Sequence, residues 1–321
     1  MSSDSDIPYW GISLDGIENF ILNECDGECH LHGLSTEDVA IKYLKPCTSF
    51  NSTAFMSYCE VHLDQPWIAT ATAFVSHAWS QPFLELVKSL RNWSSNKHHL
   101  KTYFWVDLFS NNQHIVTTRG FIWWTSVFRT NIESIGRTLL VLEWNNPRPL
   151  HRSWCLWEIF CSIRKRQQLT RLSKGISDGD WSSGTVEFEV IMSEEQEHLF
   201  TLNLVADFNS VVDRICNIDV RKAGAGLSTT VAYFHTTPHN QCFTTATLLL
   251  PGRTEDRDNI HEAIEADVGF DRLNSIISGS SLISNPVLIS HPINFMIRNW
   301  YRFLARLDGV SRIRCLEQNS S

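Results

Sequence analysis

The chain lacks any run of about 18 apolar residues, the length a helix needs to cross a bilayer. Its first residues, Met1-Ser2-Ser3-Asp4-Ser5-Asp6, carry neither the cationic nor the apolar region of a signal peptide. A cytoplasmic or nuclear protein without membrane attachment is the expectation. An excess of basic charge is missing too: the formal net charge is −8. A nucleic-acid backbone or an anionic lipid surface would reward the opposite sign, so a small molecule or another protein is the expected partner. No G-x-x-x-x-G-K-S/T loop and no G-x-G-x-x-G turn occurs, which leaves nucleoside-triphosphate chemistry without support. The 9 cysteines are an odd number at irregular spacing, so a disulfide framework is not expected and most should be buried small hydrophobes.

What is present is material for a core. At 321 residues and 43% hydrophobic content the chain suits one large domain or two moderate ones; most of its 12 tryptophans should be core, while several crowd around polar motifs. Residues 1–65 read as helical, with apolar spacing at Ile17, Phe20 and Ile21 and again at Val39, Ile41 and Leu44. Ser35-Thr36-Glu37-Asp38 has the form of a capping box opening the second helix.

Over residues 66–200 the texture changes to alternating strand and helix. Thr70 to Ser76, Tyr103 to Asp107, Thr138 to Leu142 and Val186 to Met192 read as strands. Helical patterns follow the first three, around Phe83 to Leu90, Trp123 to Ile135 and Ser153 to Arg166. Such alternation predicts an α/β fold with a doubly wound parallel sheet. The strands near Phe74, Phe104 and Leu140 should be adjacent, the first of them central, because ligands bind beyond strand carboxyl ends at such a switch point. Polar clusters lie just past those ends: Ser76-His77-Ala78-Trp79, then Asp107 with Asn111-Asn112-Gln113-His114, then Glu143-Trp144-Asn145-Asn146. One crevice shared by three loops is expected, with ordinary loop capping as the alternative for any single residue.

The segment Trp154 to Ile163 is apolar on nearly every face, as in a helix enclosed by its neighbours. Glu158 is the only carboxylate from Trp154 to Arg171. A buried acid is costly unless it is paired, hydrogen-bonded or neutralised, so this residue calls for a reason. Helical spacing sets Trp154 and Glu158 on one face.

Ser153-Trp154-Cys155-Leu156-Trp157-Glu158 resembles the S-x-W-C-x-x-E helix of TIR domains, through its W-C-x-x-E core, and Phe74-Val75-Ser76-His77 resembles their first strand, F-I/V-S-Y/H. A second likeness is to the TIR-like HET domain of fungal incompatibility proteins. Ser76-His77-Ala78-Trp79 resembles its L-S-Y/H-x-W, and Trp105-Val106-Asp107 with Asn112-Gln113 resembles its W-I-D-x-x-x-x-N-Q. Where TIR domains often carry R-D-x-x-P-G after the second strand, this chain has Leu108-Phe109-Ser110-Asn111-Asn112-Gln113.

The resemblance implies a flavodoxin-like fold and cleavage of NAD at the nicotinamide–ribose bond. Glu158 would be the catalytic carboxylate. Ser76, His77, Trp79, Asp107, Asn112, Gln113, Trp144 and Trp154 would bind substrate, with Trp79, Trp144 or Trp154 stacking on a ring. NAD enters as substrate and no cofactor is called for. The alternative is a non-enzymatic module that self-associates or binds a protein partner. A structural role for Glu158, paired inside the protein, also stays open. Cys25, Cys29, His30, His32, Cys47, Cys59 and His62 cluster potential zinc ligands, but their spacing matches no compact zinc pattern and no metal is assigned.

Residues 201–321 read as helical again, with helices expected over Asp207 to Lys222 and Glu255 to Ile277. Gly224 to Gly252 and Gly279 to Phe295 contain no Asp, Glu, Lys or Arg. They read as insertions, retained intronic sequence without assigned function, the first of them a poorly ordered excursion.

Overall fold

In the computed structural model, alternate residues of the central strands bury themselves on opposite faces of a six-stranded sheet. The structure describes residues 9–50, 52–62, 67–96, 101–115, 120–162, 187–207, 210–211, 219–224, 230–237, 240–247, 253–267, 269–271 and 273–274. The sheet strands are β1 (Trp10–Ile12), β2 (Ile68–Thr70), β3 (Ala73–Ser76), β4 (Phe104–Val106), β5 (Arg137–Val141) and β6 (Glu187–Ile191), in the order β2-β1-β4-β3-β5-β6. β3 pairs in parallel with β4 and β5, and β5 with β6. β3 therefore lies between its two expected neighbours.

The pleat sends Ala73, Val75, Phe104, Val106, Leu139 and Val141 into one core. Helices α1 (Leu14–Asn23), α2 (Phe55–His62) and α3 (Phe83–Ser95) cover that face, contributing Ile17, Phe20, Phe55, Phe83 and Val87. Phe74, Trp105, Leu140 and Val190 point the other way, into a second core. There they meet α4 (Phe121–Ile135), α5 (residues 153–162) and, further along the chain, Ile260, Ile264 and Leu273. Burial on both faces explains why these strands read as continuous apolar runs. The second core is rich in rings; Phe74 stacks on Trp105 at 4.7 Å with Phe128 edge-on to both.

The sheet is mixed, which corrects the expectation of a wholly parallel one. β1 pairs antiparallel with β2 and with β4 at one edge. A helical reading of residues 1–65 contained no such strand. Three residues, one of them Gly11, are too few to display a period of two, and β1 gains its stability from pairing rather than pattern. Gly11 is required there because a Cβ would stand 2.8 Å from the Tyr103 carbonyl carbon and 2.9 Å from Ala71 Cα. The rest of that region is helical as expected. The Ser35 capping box is formed, with Ser35 Oγ accepting from Asp38 N–H at 3.2 Å and Asp38 accepting from Ser35 N–H at 2.9 Å. Arg91 on α3 ties α1 down through both oxygens of Glu18, at 2.6 Å each.

After β6, helix α6 (Glu194–Ala206) runs back along the sheet, capped by Ser193. Asp207 closes α6 and opens the next helical residues, 210–211, by accepting the Ser210 N–H on Oδ1 at 3.0 Å; residues 212–218 of the expected Asp207 to Lys222 helix lie outside the described residues, and Val220–Lys222 is a 3-10 turn. The uncharged Gly224 to Gly252 segment holds a hairpin in place of the expected excursion. β7 (Thr230–Thr237) and β8 (Asn240–Thr247) pair antiparallel, in keeping with their many β-branched and aromatic residues. Helix α7 (Arg253–Asp267) follows, and Gly269 at φ 79° interrupts it with its N–H on Ile264 O; residues 270–271 and 273–274 are helical again, and residues 275–277 of the expected helix lie outside the described residues. Gly279 to Phe295 lies outside the described residues.

Candidate functional site

The chain leaves β3 toward β4 on one side and returns to β5 on the other, so the carboxyl end of β3 is a topological switch point. Ser76 is the last residue of β3, His77 follows it, and Asp107 follows β4. All three are therefore set side by side by parallel pairing. Asp107 Oδ2 accepts the Trp79 indole N–H at 2.5 Å, and Oδ1 accepts the Leu108 N–H at 2.8 Å. His77 Nδ1 approaches Oδ1 to 3.8 Å, within electrostatic range but beyond a hydrogen bond. Both His77 ring nitrogens are buried without a hydrogen-bond partner among the described residues.

Glu158 reaches this cluster from α5. The helix is pinned at its start by Ser153, whose N–H donates to Gly224 O at 3.1 Å. It is pinned further along by Ser162 Oγ, which donates to Thr138 Oγ1 of β5 or to Glu158 O, each at 2.9 Å. Leu156, Ile159 and Phe160 fill the second core, and Glu158, at 6% exposure, goes under with them. Cys155, three residues earlier, donates its thiol to the His77 carbonyl at 3.4 Å. Helix and strand end are thus joined at the site.

Burial raises the Glu158 carboxyl well above the usual carboxylate range, and the charge of Asp107 adds to the effect. The Ser76 hydroxyl is the neighbour that opposes it, though its Oγ makes no well-formed hydrogen bond. Glu158 Oε2 has no partner, and no cation faces the carboxyl among the described residues. Burial also raises Asp107, against His77, the Trp79 indole and the Leu108 N–H. With 20% of its side chain still exposed and two N–H donors committed to it, Asp107 is the acid suited to carry negative charge. Burial lowers His77 and keeps it neutral, the Asp107 charge opposing. The Cys155 thiol is driven far up by the same enclosure, with Glu158 adding to it, so it is no nucleophile.

Of the residues singled out in sequence, Ser76, His77, Trp79, Asp107 and Glu158 come together. The other four have structural occupations. Asn112 donates to Ser52 O at 2.7 Å and accepts from His114 N–H at 3.0 Å, shaping its own loop. Gln113 is buried with its amide nitrogen on the carbonyls of Asp107, Leu108 and Asn111, at 2.8, 3.1 and 3.2 Å. Trp144 is buried edge-on to Phe200 of α6 at 4.8 Å. Trp154 lies among Phe121 and Phe128 of α4, at 5.8 and 5.6 Å.

Cys155 joins the site on a single sequence signal, its place in the W-C-x-x-E segment. Gln81, Glu143 and Arg148 form a polar group next to the site, in which Arg148 donates to Ser80 O and offsets part of the burial that raises Glu143. Only the three-dimensional path of the loops brings them together.

No family model, curated protein or solved structure matches the chain. The likeness to TIR and HET domains rests on the motif residues. Among the described residues no helix is long and apolar enough to cross a membrane, and no three His, Cys, Asp or Glu side chains are grouped to hold a metal. Cys25 and Cys59 are buried in the first core, with burial pushing each thiol up to about 12. A groove of about 520 Å³ runs elsewhere, between Phe121, Ile122 and Trp123 at the start of α4 and Asn259 of α7.

Proposed function

We propose that the chain is a TIR-like protein of flavodoxin-like type that cleaves NAD at the nicotinamide–ribose bond, with Glu158 as the catalytic carboxylate. The observation that carries this reading is the buried Glu158, facing no cation among the described residues, beside Ser76 and Asp107 at the switch point. The parallel order β4-β3-β5-β6 supports the flavodoxin-like assignment.

The chemistry suits such a group. Nicotinamide bound through its ring nitrogen is already a good leaving group, so the barrier falls when the developing oxocarbenium charge is stabilised away from bulk water. Burial favours the protonated form of Glu158, and an entering pyridinium cation favours the ionised one. The negative charge then appears where positive charge develops on the ribose. Trp79, held by Asp107, is the tryptophan positioned to flank the substrate. Chromatography of the full chain incubated with NAD, dilute and then concentrated, tests the reading through free nicotinamide.

A second reading, a self-associating module without catalysis, draws on the apolar groove and on Ile122 beside it, 82% exposed. Sedimentation that shows one concentration-independent species removes its support.

A further inference from the structure

Hydrolysis of an N-glycosidic bond needs two things from a protein: charge stabilisation at the ribose and removal of a proton from the attacking water. Glu158 accounts for the first under the function proposed above, on which this inference rests. The second has a separate occupant. We propose that His77 is the general base that takes the proton from the attacking water, and that Asp107 is the positioning residue that holds its imidazole.

The geometry is that of a carboxylate fixing a histidine. Asp107 is itself immobilised by the Trp79 indole at 2.5 Å and the Leu108 N–H at 2.8 Å. Its Oδ1 faces His77 Nδ1 at 3.8 Å. An anion there favours the tautomer with the proton on Nδ1, which leaves the Nε2 lone pair as an acceptor. Closure of about 1 Å turns the approach into a hydrogen bond, a tightening common when a substrate binds. Nε2 is buried without a partner among the described residues, and a buried imidazole nitrogen with unmet demand calls for a water or a ligand group. Burial keeps the ring neutral and so able to accept a proton. Cys155 fixes the backbone beneath it through the His77 carbonyl.

The step balances. The bond from ribose C1′ to the nicotinamide nitrogen breaks, and its electron pair neutralises the ring. Water oxygen bonds to C1′, and its proton passes to His77 Nε2 and then to solvent. The products are nicotinamide, ADP-ribose and a proton.

A nucleophile that has no proton to lose separates this role from any other. A free pyridine such as 3-acetylpyridine attacks C1′ through its ring nitrogen and exchanges with nicotinamide without a base. In His77→Gln, hydrolysis of NAD should fall by about a hundredfold, while exchange with 3-acetylpyridine stays within about threefold of wild type. Asp107→Asn should shift the same ratio in the same direction by about tenfold or more. Both products are read from one sample, so a partly folded variant does not alter the ratio. Parallel loss of both reactions in the two variants, or hydrolysis untouched in His77→Gln, overturns the role of His77 alone. A wild-type protein that supports neither reaction overturns the cleavage reading beneath it.

Discussion

The charge state of Glu158 follows from its surroundings, and it has a measurable consequence for stability. Its carboxyl is raised in the folded state, so between the unfolded value and the folded one the native protein binds the extra proton. Stability from this group is present at low pH and is lost as pH climbs through that window, with a limiting slope of about 1.4 kcal/mol per pH unit. His77 acts with the opposite sign below its ordinary value, because the unfolded chain takes up the proton there. Comparing the wild type with Glu158→Gln isolates the glutamate. The variant should gain on the wild type as pH rises above the ordinary carboxylate range, and the difference should widen with rising pH in urea titrations. A difference that is flat, or that favours the wild type, would mean a paired, ionised glutamate. At this scale the sequence was informative wherever parallel strand ends set the position: Ser76, His77 and Asp107 each stand at or just past a strand end. It does not distinguish roles for Trp144 and Trp154, because a tryptophan beside a polar motif looks the same whether it faces a ligand or packs on an aromatic neighbour, as these do on Phe200 and Phe121.

Elements were legible in proportion to their length and periodicity. The three central strands and the helices α3, α4 and α5 announce themselves through apolar runs and helical spacing, and all occur where expected. The short strand β1 does not, although its place between β2 and β4 is strictly required. Adding a single methyl tests it: Gly11→Ala brings Cβ against the Tyr103 backbone and should lower stability by about 1–3 kcal/mol. A urea midpoint unchanged in Gly11→Ala would show that β1 does not pack in the sheet. The hairpin β7–β8 was illegible for another reason. Freedom from charge carries no structural period, whereas threonine, valine and aromatic residues at high density are what a paired strand uses.

For the whole molecule, the region beyond residue 200 shares a core with the sheet. Ile260, Ile264 and Leu273 belong to the same cluster as Phe74 and Trp105. The sequence hid this, since the charged residues of α7 leave only a narrow apolar stripe and nothing in that stripe names its partner. Unfolding should therefore be cooperative across the described parts. Ile264→Ala, at a fully buried position, should cost about 2–5 kcal/mol. Circular dichroism and tryptophan fluorescence should still report one coincident transition. Two separated transitions, with only the first shifted by the substitution, would make the C-terminal region an independent unit.

The central claim is that a buried carboxyl at the switch point performs cleavage rather than supports the fold. Glu158→Gln keeps the shape and hydrogen-bonding capacity of the resting acid and removes the charge that substrate would draw out. Nicotinamide release from NAD, measured beside melting temperature on the same preparations, separates the alternatives. The account predicts active wild type, a variant slower by about a hundredfold or more, and a melting temperature that barely moves. Wild type that releases no nicotinamide at any concentration, with a variant that melts far earlier, would contradict it.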